Sequence, residues 1–183
     1  MKIVMLFDLV ELIYIVITVG ALGFIFSENR RAITEFGTIL EEGWQRRILT
    51  AVIVAAPAVI LHEFAHKFLA LAYGFTATYS ASLFGLAIGV VMKIIGLGFV
   101  FFVPGYVSIS GVGSQMNFGL VALAGPLTNL ALFLIFSAVI KYDLLPGHAQ
   151  ILHASRQINL WLFIFNMIPL PGFDGFKFFA SLF

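Results

Sequence analysis

No cysteine occurs anywhere in the chain. Disulfides and thiolate metal ligands are thereby excluded, although the absence does not fix the redox compartment. Charge is scarce too: Asp, Glu, Lys and Arg make up 10% of the 183 residues, while 61% are hydrophobic. A soluble domain is typically about 45–50% apolar and about 25% charged. With a mean hydropathy of +1.07, a chain of this size cannot hide its apolar surface in one water-soluble core, and it belongs in a bilayer. The net charge of +1 argues neither for nor against acidic partners, and no nucleic acid is expected among them. Internal repeats and low-complexity linkers are also lacking. The expectation is one membrane-embedded domain over residues 1–183 with no appended soluble domain.

What is present is a series of long apolar runs. A hydrocarbon core needs roughly 20 mostly apolar residues per helix. The first run, about Val4 to Phe26, carries Asp8 and Glu11 near its start, read as a snorkelling or interfacial pair given the cost of deep charge. It is too long for a signal-peptide core and is expected to be retained. Residues 27–47 mix both charge signs and read as a solvated connection. A second span runs from about Ile48 to Tyr73, with Gly74 as its stop. The stretches "TATYSAS" and "YVSIS" alternate like strands. Between them, Ser82 to Pro104 is long enough to cross, yet it holds four glycines and Lys93. A re-entrant element suits that mixture better, since irregular backbone at membrane depth is tolerated where protein or a wet cavity covers it. A third span covers about Phe118 to Ile140. The last begins near Ile158 and breaks at "NMIPLPGFDGF", where two prolines and two glycines end a regular helix. The fold class is thus a polytopic α-helical membrane protein of about four spans with a small β element.

Inside the second span lies "HEFAH". Residues i and i+4 of a helix share a face, so His62 and His66 can offer two imidazoles to one ion, with Glu63 about 100° round and beside the metal. This His-Glu-x-x-His spacing is that of zinc hydrolases, where the ion lowers the pKa of a water toward about 7 and the glutamate accepts its proton. A chance match with core histidines is the bland alternative. The setting weighs against it: each ionisable group at bilayer depth costs about 2.5–3.5 kcal/mol on insertion scales, and His62 lies roughly 21 Å into its span. A catalytic site needs a third protein ligand. His148 and His153 sit five apart in a polar connection and suit solvent better. Asp174, where the last helix breaks, is the better candidate, although a turn aspartate can also cap the next helix.

His62-Glu63-x-x-His66 paired with Asn166, Pro169, Pro171, Asp174 and Gly175 resembles the site-2 protease family of intramembrane zinc metalloproteases. Gly125, Pro126 and Asn129 resemble its Gly-Pro-x-x-Asn segment. The resemblance covers roughly Ile48 to Phe183, leaving 1–47 as an accessory span and connection and 48–183 as the catalytic core. It implies one Zn²⁺ held by His62, His66 and Asp174, with Glu63 as general base and acid. Asn166 would stabilise the developing oxyanion. Asn129 would act near the site or simply bond between helices. The family has a membrane-associated β element after the zinc-binding helix, which implies that Gly105, Tyr106, Val107, Ser108, Ile109 and Ser110 form an edge strand for an unwound substrate; a plain packed hairpin is the alternative. Family members usually continue with further helical sequence after Asp-Gly, whereas nine residues follow Asp174 here. That departure bears on stability and gating more than on chemistry.

The implied partners are the lipid bilayer and a transmembrane protein substrate, and the oligomeric state is open. The resemblance places the active site toward the cytosolic side of a multi-pass cell-membrane protein. The count of Lys and Arg disagrees: Arg30, Arg31, Arg46, Arg47, Lys141 and Arg156 fall on the opposite side, against Lys2, Lys93 and Lys177. The leading function is an intramembrane zinc endopeptidase. The alternatives are a catalytically silent metal- or partner-binding protein, a metal transporter, and an anchored peptidase for soluble substrates. The transporter is disfavoured because the ionisable ligands cluster at one site, and the anchored peptidase because HEFAH lies inside a span.

Overall fold

The structure, a computed structural model, describes residues 6–27, 31–33, 39–41, 43–97 and 103–183. Helix α1 (Leu9–Ile25) opens on a reciprocal cap. Asp8 accepts from the Glu11 N–H at 2.7 Å, and Glu11 accepts from the Asp8 N–H at 3.0 Å. Strands β1 (Arg31–Ile33) and β2 (Ile39–Glu41) pair antiparallel within the expected solvated connection. Helix α2 (Trp44–Ala72) spans 29 residues, about 43 Å at 1.5 Å per residue. It stops as expected at Gly74, whose φ of +80° favours glycine. The Gly74 and Phe75 N–H groups bond back to the Leu71 and Ala70 carbonyls, closing a Schellman motif.

Strands β3 (Thr76–Ala81) and β4 (Gly105–Ser110) pair antiparallel with Tyr79 opposite Val107. Between them, helix α3 (Leu83–Ile94) has 12 residues, too few for a crossing. The Ser82 N–H donates to the Pro104 carbonyl at 3.0 Å, so the excursion returns to its starting point. Segment 83–103 therefore makes no net crossing; residues 98–102 lie outside the described residues.

Helix α4 (Gln115–Lys141) follows, capped by the Ser114 side chain. Helix α5 (Ala149–Asn166) starts nine residues before the expected Ile158. "AQILHASRQ" forms its first turns because Leu152 and Ser155 are buried on one face. Helix α6 (Asp174–Ala180) comes after a turn in which Gly172 has φ +101°. Among the described residues, α2 and α4 are long and apolar enough to cross a membrane. Helix α1, at 17 residues, and α5, with polar first turns, are the two further expected spans that do not meet that standard. Large apolar side chains such as Val16, Leu134 and Ile135 point outward and are exposed.

The reading of Asp8 and Glu11 as an interfacial pair needs correction. Glu11 is buried and forms an ion pair with the Lys67 ammonium of α2, also buried. It further accepts the Tyr79 N–H of β3 at 2.6 Å. The Tyr79 hydroxyl, which burial pushes up to about 12, shares a 2.8 Å hydrogen bond with Thr18. Helix α1 thus clamps both α2 and the sheet.

Candidate metal centre

His62 and His66 lie on consecutive turns of α2 and are both buried. Each Nδ1 has an acceptor. His66 Nδ1 donates to the Val121 carbonyl of α4 at 2.7 Å. His62 Nδ1 donates to Asn129 Oδ1 at 2.6 Å. With protons fixed on both Nδ1 atoms, neutral imidazoles present bare lone pairs at Nε2. Those two Nε2 atoms stand 3.1 Å apart, and each lies 3.1 Å from Asp174 Oδ2. Three acceptor atoms in such a triangle repel one another unless a cation sits among them. Tetrahedral zinc with ligands at about 2.0–2.1 Å separates them by about 3.3 Å, close to the triangle found. The nitrogen and oxygen donors, three in number, fit a catalytic zinc site with a position left over. Among the described residues His62, His66 and Asp174 form a group able to hold a metal ion.

Each ligand is positioned by the fold. Asp174 is the first residue of α6 rather than its cap; Phe173 occupies that place, so the capping alternative fails. Its second oxygen, Oδ1, takes the Lys177 ammonium at 3.2 Å. Gly175 lies against Met167, where a Cβ would meet the backbone at 2.6 Å. Gly125 lets α4 pass the imidazoles, since a Cβ there would stand 2.3 Å from His66 Nε2.

A cavity of about 1160 Å³ opens over this group. Glu63, Asn166, Gly105, Tyr106, Val107 and Ile109 line it, while Ser108 and Ser110 do not. The Asn166 amide donates to the Leu162 carbonyl at 2.9 Å. His148 and His153 are exposed and far from the group in role: His148 precedes α5 and His153 lies on its outer face, not in a loop. Because the Tyr79 N–H turns outward to Glu11, the Tyr79–Val107 pair is a non-hydrogen-bonded one. Gly105, Val107 and Ile109 therefore aim their backbone groups away from β3, and among the described residues β4 pairs with β3 alone.

A protein of Methanocaldococcus jannaschii named "Putative zinc metalloprotease" is 34% identical over 173 residues, covering 91% of this chain and 82% of that protein. The chain belongs to this zinc metalloprotease family. Zinc is the ion that the donor group and the relative's name both support. No protein-family model matches the metalloprotease, and no solved structure matches it significantly. Sequence reading passed over two of its buried polar residues, Lys67 and Asn159, and placed a third, Glu11, at the interface. Opposite charges in two apolar helices are a usable signal for a pair, because neither is stable there alone. Asn159 carried only the weaker signal of an amide in an apolar run.

Proposed function

We propose that this metalloprotease is an intramembrane endopeptidase of the site-2 type, cutting transmembrane segments of membrane proteins. The carrying observation is where the donor group sits. His62 lies 18 residues after the start of α2 and 10 before its end, about 27 Å and 15 Å along the helix. A helix long and apolar enough to cross a membrane thus holds the site well away from either end. Exposed apolar side chains on the outer faces of α1 and α4 suit lipid contact. On this reading the chain is a multi-pass membrane protein, its active site facing the cytosol.

His62, His66 and Asp174 would hold zinc, which when bound would supply a Lewis acid and lower the pKa of a water there. Glu63, directly after the first ligand and lining the cavity, would accept a proton from the attacking water and deliver it to the leaving amide nitrogen. Asn166 keeps one amide N–H beyond its bond to Leu162, available for the developing oxyanion; such a donor is worth about 2.7–4 kcal/mol. A substrate helix hides its amides in internal hydrogen bonds and must unwind before attack. The outward backbone groups of Gly105, Val107 and Ile109 can pair with the unwound strand and hold it in the cavity.

The test is the position of the cut. Single-span proteins reconstituted with the enzyme in lipid vesicles are cleaved and the fragments mapped by mass spectrometry. A cut inside the apolar segment is expected. Cuts confined to water-exposed tails, or equal turnover of soluble peptides, would refute the intramembrane reading.

A further inference from the structure

Asn129 bonds not only to His62. Its Nδ2 donates to the Ala58 carbonyl at 3.0 Å and to Asn159 Oδ1 at 2.9 Å. Asn159 in turn donates from Nδ2 to the Ser155 carbonyl at 2.8 Å. Asn129 and Asn159 are 0% and 1% exposed, so water cannot replace these partners. The chain has one possible direction. The Ser155 carbonyl only accepts, so the Asn159 amide nitrogen must face it and its oxygen must face Asn129. The Ala58 carbonyl and that oxygen then require the Asn129 nitrogen. What remains for His62 is the Asn129 oxygen, an acceptor, which fixes the proton on Nδ1 and leaves Nε2 bare.

We propose that Asn159 is a positioning residue for the metal site: it locks the polarity of the Asn129 amide and thereby the metal-binding tautomer of His62. Without it, Asn129 is anchored by the Ala58 carbonyl alone. A flip of the amide, which in the intact chain sets two pairs of acceptors against each other, then sets only one. The flipped amide donates to Nδ1 and drives the His62 proton onto Nε2, where it blocks the metal. The proposal rests on the zinc-site reading above and extends it into a helix that contributes no ligand.

The test uses the full chain in detergent and zinc alone as probe. Zinc affinity is measured by chelator competition for wild type, Asn159→Leu and Asn159→Asp. The imidazole ¹⁵N shifts of the zinc-free proteins are read at one neutral pH. Asn159→Leu is expected to weaken zinc binding by about tenfold or more, in the range of outer-shell substitutions, and to move His62 toward the Nε2–H form. Asn159→Asp, buried as the neutral acid whose O–H replaces the bond to the Ser155 carbonyl and whose other oxygen faces Asn129, is expected to stay close to wild type in both. If the leucine variant does not fold, Asn159→Ala removes the same oxygen without added bulk. Unchanged affinity and tautomer in the leucine or alanine variant would overturn the proposal, as would an aspartate variant that falls as far. Failure of wild type itself to bind zinc would instead refute the site reading.

Discussion

Lys67→Met removes the cation from the buried pair that joins α1 to α2. The side chains of Lys67 and Glu11 are 2% and 4% exposed. Deleting one partner of such a pair strands the other charge, at a cost of about 3–5 kcal/mol. In Lys67→Met the Glu11 carboxylate keeps the Tyr79 and Asp8 N–H groups, which places the loss near the lower end, about 3 kcal/mol. Glu11→Gln leaves an ammonium with no counter-charge and belongs near the upper end, about 5 kcal/mol. At roughly 2–4 °C per kcal/mol for a chain of this length, the Tm falls by roughly 6–12 °C in the first variant and 10–20 °C in the second. The double variant Glu11→Gln/Lys67→Met has no charge left to strand and recovers most of the loss. The assay is thermal unfolding in detergent, followed by fluorescence of Trp44 and Trp161. A Tm change under about 2 °C in Lys67→Met, or a double variant less stable than either single one, would refute the reasoning.

Further outcomes are expected. Gly125→Ala puts a Cβ 2.3 Å from His66 Nε2, so zinc affinity in chelator competition falls about 10–100-fold. Asp174→Asn weakens the third ligand, and zinc no longer survives dialysis at stoichiometric level while the helical circular dichroism is kept. Proline at Val107 or Ile109 removes an outward N–H without touching the β3 ladder, so cleavage falls with zinc content unchanged; unaltered cleavage would remove the edge-strand role.

The donor group was legible because its pattern is local. His-x-x-x-His places two imidazoles on one helical face whatever the tertiary fold, and Asp174 stood where prolines and glycines end the next helix. The Gly74 stop and the two paired strands were readable for the same reason. Less legible were features fixed by contacts between distant segments. Glu11 reads as interfacial until α1 is laid against Lys67, 56 residues on. The start of α5 was placed late because "HASRQ" is polar, yet helix propensity with Leu152 and Ser155 on a buried face extends the helix through it. Asn129 was left between two readings, and the structure brings it to His62 Nδ1 while it also bonds between helices.

The most direct measurement of the central claim is cleavage of a panel of single-span membrane proteins by wild type and Glu63→Gln in lipid, with bound zinc quantified in both. Glu63 lines the cavity but is not one of the three converging donors, so the variant is expected to retain about one zinc per chain and to cleave nothing that wild type cleaves. Folded wild type without stoichiometric zinc, or a Glu63→Gln variant that cleaves as fast as wild type, would contradict the account.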